Sequence, residues 1–262
     1  MRFALVDNIK REAAKGMKGI CSSCGSDVTA KCGEVKINHW AHKTSQNCDP
    51  WWENETEWHR AWKNQFPIEF QEIVLKDEQT GEKHIADVRT LHDLVIEFQH
   101  SHLHPHERRT RESFYKHMVW VVDGTRLKRD YPSFIKGKQN WIHPTSTRGE
   151  YWVDNLEDCF PTAWLGSTVP VIFDFKGLET INDPNDLRHL VICLFPTSQR
   201  EARLVYLTRE SFIANVISGK WFPKTPPPTQ PLIAPTQQSH MIPRRSSPYV
   251  FHRGRYVKRR RL

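Results

Sequence analysis

The stretch His84–Gln99, HIADVRTLHDLVIEFQ, constrains this chain more than any other. Val88, Leu94, Ile96 and Phe98 recur at period two, and Asp87, Glu97 and Gln99 fall in the opposite set. The pattern predicts two short strands joined by a tight turn at Leu91-His92-Asp93. A hairpin centred on His92 sets Asp87 directly across from Glu97, because the two are equidistant from that centre. Opposed Cβ atoms lie about 4.5–5.5 Å apart, so two carboxylates would share one small space. Like charges so placed cost stability unless a cation lies between them. That is the arrangement of a divalent-metal site, with Gln99 one side-chain repeat further along. On these residues alone, an acidic pair on the wet face of a hairpin carries equal weight.

The order of elements shifts that balance. Asp49-Pro50 offers an N-cap followed by proline at the first helical position, so a helix is expected from there. Trp58, Trp62 and Phe66 give it an apolar stripe, and Glu55, His59 and Lys63 form a second row beside it. A strand over 68–76 leads through Thr80-Gly81 into the hairpin. Pro105 then suits a helix start, with Arg111 and Tyr115 one turn apart, and Met118 to Val122 reads as a buried strand. This αβββαβ order, with Asp on the second strand and Glu-x-Gln on the third, resembles the PD-(D/E)xK nuclease core. Four histidines at 100, 102, 104 and 106 read as a polar loop rather than a second metal site.

Upstream lies CSSCGSDVTAKCGEVKINHWAHKTSQNC. Cys-x-x-Cys before glycine is a knuckle that points two thiolates at one centre, and zinc completes a tetrahedron with two more ligands. On a strand His39 and His42 face opposite ways, so one of them is expected to take part. The favoured set is Cys21, Cys24, His42 and Cys48, with His39 as the substitute. Six cysteines in 262 residues do not make a secreted disulfide scaffold. The N-terminus has no apolar leader core and no run of about 18 apolar residues occurs, so a reducing, cytoplasmic setting without a membrane span is expected.

The formal charge of +8 is unevenly distributed. Arg244, Arg245, Arg253, Arg255, Lys258, Arg259, Arg260 and Arg261 give residues 229–262 eight bases and no acid, which leaves the rest of the chain neutral. With eight prolines between Pro223 and Pro248, residues 223–262 read as a disordered basic arm able to follow a phosphate backbone. Four regions are therefore expected: a zinc-finger-like β module (1–50), a nuclease-like core (51–124), a β-rich region of unassigned role (125–222) and the arm. Strands are expected over 169–176 and 190–208 and a short helix from Arg209 to Ile217, while 126–165 shows no clean period. Asp174-x-Lys176 with Asp154 also matches an Asp…Asp-x-Lys pattern, but it lacks the paired hairpin and ranks below Asp87 and Glu97.

Phosphodiester hydrolysis needs a neutralised phosphoryl group and a water opposite the leaving oxygen, which Mg²⁺ or Mn²⁺ on carboxylates supplies. Gln99 occupies the position that often carries Lys, and it can orient a water but not take its proton. Cys-x-x-Cys, His-Trp-Ala-His, Glu-Thr-x-x-His-x-x-x-Lys, Ala-Asp-Val, Ile-Glu-Phe-Gln-x-Ser and Arg-x-x-x-Tyr occur in that order over residues 3–123. In this the chain resembles the competence protein CoiA-like family, which is similar to PD-(D/E)xK (restriction-endonuclease-like) nucleases with an N-terminal zinc-finger-like module. The resemblance implies an α/β (α+β) fold, a catalytic set of Asp87, Glu97, Gln99 and Glu55, and contacts to nucleic acid from His59, Lys63, Arg111 and Tyr115. It implies DNA as partner, in processing or recombination of incoming DNA or in defence against foreign DNA, with proteins of those pathways alongside. His84 stands where the family often has Arg, which is expected to weaken phosphate contact. Two classes stay open: a metal-dependent DNA nuclease, and a nuclease-fold nucleic-acid-binding protein that no longer cuts.

Overall fold

The computed structural model describes residues 1–43, 48–51, 53–196, 202–221, 249–252 and 255–258. It is an α+β structure in two compact units, Met1–Pro223 and Lys224–Leu262. No helix among the described residues is long and apolar enough to cross a membrane.

The first unit opens with a small antiparallel sheet. Its strands are β1 (Phe3–Val6), β2 (Ile9–Glu12), β3 (Lys18–Ile20), β4 (Asp27–Lys31) and β5 (His39–His42), in the order β2-β1-β3-β4-β5. Asp7 and Asn8, at φ 53° and 61°, make the two-residue turn between β1 and β2, matching the right-handed strand twist. The buried core here is Ala4, Ala13, Cys21, Val28 and Trp40. This is a small core, and hydrogen bonds from Arg2 and Phe3 to Glu72 and Gln71 tie the sheet to its neighbour.

The second sheet has nine strands. After α1 (Glu57–Lys63) and a 3₁₀ turn (Ile68–Phe70) come β6 (Gln71–Lys76), β7 (Lys83–Arg89), β8 (Val95–Gln99), α2 (Pro105–Tyr115) and β9 (Met118–Asp123). Then follow α3 (Asp130–Trp141), β10 (Ile142–Pro144), β11 (Glu150–Val153), α4 (Leu156–Cys159), α5 (Thr162–Leu165), β12 (Val171–Asp174), β13 (Leu190–Leu194), β14 (Ala202–Thr208) and α6 (Arg209–Ile217). Their order is β10-β11-β14-β13-β12-β9-β8-β7-β6, and β8, β9 and β12 run parallel at the centre. Buried on both faces, these three read as near-continuous apolar runs. One face packs Trp120, Phe134, Phe160 and Phe173; the other packs Trp58, Trp62, Phe98 and Phe212.

Several expectations change. Residues 51–124 and 125–222 do not form separate sheets, because β12 pairs with β9 in parallel and carries the sheet across that boundary. The first helix starts at Glu57, not at Pro50. The Asp49 carboxylate accepts the Trp51 N–H (2.9 Å) in a local turn and is also held by the Ile85 N–H (2.8 Å) and His84 Nδ1 (2.9 Å), while Thr56 supplies the helix cap. Glu55 therefore precedes the helix. Within the arm, Tyr249–His252 (β15) pairs antiparallel with Arg255–Lys258 (β16), where disorder was expected. Alternating aromatic and β-branched residues in both tetrapeptides favour that pairing. The remainder of residues 223–262 lies outside the described residues.

The competing Asp174 pattern dissolves. Asp174 is fully buried, and its Oδ2 accepts the indole N–H groups of Trp58 and Trp62 (both 2.9 Å) and Arg209 Nη2 (2.8 Å). Its Oδ1 accepts the Lys176 and Gly177 N–H groups, and Asp154 pairs with His143 on the surface. This carboxylate ties α1 and α6 to the sheet. Asp174→Ala strands three buried donors, so it should cost about 3 kcal/mol or more. Urea denaturation should show the midpoint falling well below that of the parent chain, and an unchanged midpoint would contradict this role.

Candidate functional site

The hairpin has the predicted register. Val88 opposes Ile96 and Arg89 opposes Val95, which centres it on His92, and Asp93 at φ 60° closes the turn. At Asp87 and Glu97 side chains replace the backbone ladder. The Asp87 N–H donates to Glu97 Oε1 (3.1 Å), and the Phe98 N–H donates to Asp87 Oδ2 (3.0 Å). The carboxylates thus enter between the strands instead of pointing into water. Glu97 is buried and Asp87 half-buried, so the expectation that both lie on the solvent face is corrected.

A third carboxylate extends the row. On the other side of β7, Gln71 opposes Val88 and Ile73 opposes Ala86, so Glu72 falls across from Asp87. Glu72 takes the left-handed conformation, φ 46°, at a cost of about 1 kcal/mol or more. It is held there by the Arg2 and Phe3 N–H groups, which donate to its two oxygens at 2.8 and 3.0 Å.

Lys63 lies among these acids. Its Nζ is 3.0 Å from Asp87 Oδ1, 3.2 Å from Glu72 Oε1 and 3.3 Å from Glu55 Oε1. Burial works against its charge, but the three carboxylates outweigh burial and hold the lysine firmly protonated. Glu72 is opposed by burial too, yet Lys63 and the backbone donors bring it down to about 2. Glu97 goes the other way: burial first, then the Asp87 charge, pushes it up to about 8. Arg111 Nη1 reaches Glu97 Oε2 at only 3.5 Å, and the same guanidinium is spent on Glu107 and on the Trp51 carbonyl. Glu55 is gripped by Arg60 through Oε2, and its buried Oε1 makes no hydrogen bond.

These residues line a cleft of about 70 Å³ that holds six carboxylates (Asp49, Glu53, Glu55, Glu72, Asp87, Glu97) against Lys63 and Arg111. The acid surplus and the opposed Asp87–Glu97 pair, met by Lys63 on Asp87 (3.0 Å) and only distantly by Arg111 on Glu97 (3.5 Å), could accommodate a hard divalent cation with oxygen ligands. Gln99 also lines the cleft, and its amide N–H groups go to Glu53 Oε1 (2.7 Å) and Ser101 Oγ (3.1 Å). His59 is buried and joins α1 to β8: Nε2 donates to the Phe98 carbonyl (2.6 Å) and Nδ1 accepts from Thr56 Oγ1 (3.0 Å). The carbonyl partner fixes that tautomer, and burial pulls the imidazole pKa down. Lys63 and His59 therefore spend their donors inside the protein and not on an outer phosphate-binding face. Arg111 and Tyr115 are buried at the cleft, and Tyr115 is pushed well up by burial. His84 is buried too, stacked on Trp51, so its position is a packing site.

The second centre sits on the small sheet. The ligand atoms of Cys21, Cys24, His42 and Cys48 all lie within 4.8 Å of one another. Cys21 Sγ is 3.7 Å from Cys48 Sγ, and Cys24 Sγ is 3.3 Å from His42 Nε2. A zinc–sulfur bond of about 2.3 Å gives a tetrahedral edge of about 3.8 Å, so these four can hold a zinc ion. Burial raises Cys24, but hydrogen bonds from Ser26 and His42 bring it down to about 6; burial and the neighbouring sulfurs push Cys48 up to about 12. His39 turns to the other side of β5, where Nδ1 meets the Ile37 carbonyl.

Fold and sites together define a two-sheet α+β protein with a cysteine–histidine centre and a buried carboxylate cleft. Residues 6–50 match the family model of the N-terminal domain of competence protein CoiA, which bears out the CoiA-like resemblance. That span holds all four zinc-type ligands and, of the cleft's six carboxylates, only Asp49. No curated protein and no solved structure matches the chain.

Glu72 carries a pH signature. Its carboxyl is about 2 in the fold against an ordinary 4.5, so its stabilisation is complete above 4.5 and is lost as pH falls from 4.5 to about 2. Glu72→Gln should cost about 3 kcal/mol at pH 7, and the gap to the parent chain should shrink across that window. Urea titrations at several pH values measure it; a gap that stays constant would contradict the assignment.

Proposed function

We propose that the chain is a metal-dependent DNA nuclease built on a PD-(D/E)xK-type core. The observation that carries this reading is the directly opposed Asp87–Glu97 pair, cross-linked by backbone N–H groups, in a cleft of six carboxylates that meet Lys63 and Arg111. The order α1-β6-β7-β8-α2-β9, with Asp87 on the second strand and Glu97-x-Gln99 on the third, supports the same core.

Asp87 and Glu97 would hold Mg²⁺ or Mn²⁺, with Glu55 close by, its Oε1 ion-paired with Lys63 at 3.3 Å. When bound, the ion supplies Lewis acidity and lowers the pKa of an attacking water. The remaining roles belong to the protein. Lys63 fixes the Asp87 carboxylate and adds positive charge beside the place where a phosphoryl oxygen would gather negative charge. Held protonated by its three carboxylates, it has no lone pair to take up a proton, so general-base duty falls elsewhere. Gln99, its amide donors tied to Glu53 and Ser101, has its carbonyl oxygen left to orient a water. Cys21, Cys24, His42 and Cys48 would hold zinc in a structural role, since four protein ligands leave no open position. DNA is the proposed partner, in processing of incoming DNA or defence against foreign DNA. Glutamine where such sites often carry lysine favours a second reading, a binding protein that does not cut.

The test is cleavage of single- and double-stranded DNA with Mg²⁺ or Mn²⁺. Asp87→Asn and Glu97→Gln each keep side-chain volume, so the fold should persist while cleavage falls at least about a hundredfold. Cation-dependent thermal stabilisation should vanish with it. Parental rates in both variants would sink the assignment, and a parent chain that binds DNA without cutting would select the second reading.

A further inference from the structure

His39 was a candidate zinc ligand, yet its side chain faces away from the cysteines. It lines a groove of about 320 Å³, with Lys36, Ile37 and the exposed Val35 on one side and Asn54 and Thr56 on the other. The groove shares Glu55 and Met1 with the carboxylate cleft, so the two are neighbours. Its walls are tied together: Arg60 donates to the Asn38 carbonyl (3.0 Å) while also gripping Glu55 (2.5 Å). A volume of 320 Å³ is at the lower end for a small-ligand pocket and admits about one nucleotide, whereas a duplex is far too wide.

The lining suits a sugar-phosphate strand. Lys36 is exposed and has no ion-pair partner among the described residues. His39 Nδ1 donates to the Ile37 carbonyl (2.9 Å), so Nε2 becomes a donor toward a phosphate oxygen in the imidazolium form. Val35, at 94% exposure, and Ile37 offer apolar surface to a base. The exposed Glu57, next to Thr56, also lines the groove, and its carboxylate would exclude a phosphate from the Asn54–Thr56 side. Phosphate contacts are thereby confined to the Lys36–His39 side, beside Glu55.

We propose that this groove holds the unpaired nucleic-acid strand next to the scissile phosphodiester, with Lys36 Nζ and the Nε2–H of a His39 imidazolium donating to its phosphate oxygens. The proposal rests on the nuclease reading and deepens it. The small sheet then does more than fold around zinc: its β4–β5 loop forms one wall of the substrate path, and the enzyme takes single-stranded DNA or frayed ends in preference to intact duplex.

The experiment compares the full-length chain with its Lys36→Gln/His39→Gln double variant, zinc-loaded and without added divalent cation. Fluorescence anisotropy reads binding to a fluorescein-labelled single-stranded DNA hexamer and to a duplex of the same length. The single strand should bind about tenfold more weakly to the variant, through two lost charge-assisted bonds. Duplex binding should change less than about twofold, and zinc per chain should not change. Equal single-strand affinity, an equal loss for both probes, or lost zinc would each overturn the proposal. Lys36→Gln alone, on an exposed loop, repeats the test where folding is not at risk. Binding is read without cutting, so failure of the nuclease reading would show separately, in the cleavage rates of the Asp87 and Glu97 variants.

Discussion

A single buried ammonium organises the cleft. Lys63 sits within 3.3 Å of Asp87, Glu72 and Glu55, carboxylates that arrive from β7, from β6 and from the segment before α1. Without it those three charges would meet in a poorly hydrated space, where each pair interacts far more strongly than in water. With it they are fixed, and the surplus acid is displaced toward Glu97. Burial and Asp87 raise Glu97 to about 8, which is the side on which the proposed cation would act. Stability and the proposed cation affinity would then come from one charge arrangement.

The same arrangement joins the two sheets of the first unit. Glu72 keeps a left-handed backbone because its carboxylate receives the Arg2 and Phe3 N–H groups at the start of β1 as well as Lys63. Arg2 Nη1 adds a bond to Gln71, and Lys10 reaches the Gln71 carbonyl. The sheet that carries the cysteine–histidine centre is therefore bonded directly to the strand that completes the acid row. Loss of order in that sheet should reach Lys63 through Glu72, a distance of two hydrogen bonds.

Much of this was legible where local pattern decides the outcome. The His92-centred hairpin, the Cys21, Cys24, His42 and Cys48 set, α2 from Pro105 and α6 over Arg209–Ile217 each follow from spacing, turn residues or caps within one short segment. What local pattern could not give was settled by partners far along the chain. Asp49 reads as a cap, but residues 84 and 85 claim its carboxylate. Asp174 reads as a catalytic acid, but Trp58, Trp62 and Arg209 claim it. The parallel β9–β12 pairing that unites 51–124 with 125–222 has no local signature at all. The place of Glu72 opposite Asp87 was out of reach: a turn centred on Thr80-Gly81 sets Glu72 across from Arg89, whereas the observed pairing centres between Gln79 and Thr80. Its left-handed backbone and its bonds to residues 2 and 3 were equally hidden.

The central claim is that the Asp87–Glu97 pair is a cation site while Lys63 is already satisfied by Asp87, Glu72 and Glu55. Crystals grown with Mn²⁺ and measured at the manganese absorption edge test it most directly. The account predicts an anomalous peak between Asp87 and Glu97, with Lys63 still paired to Glu72. A manganese-loaded crystal with no peak there, or with Lys63 turned out of the carboxylate row toward solvent, would contradict it.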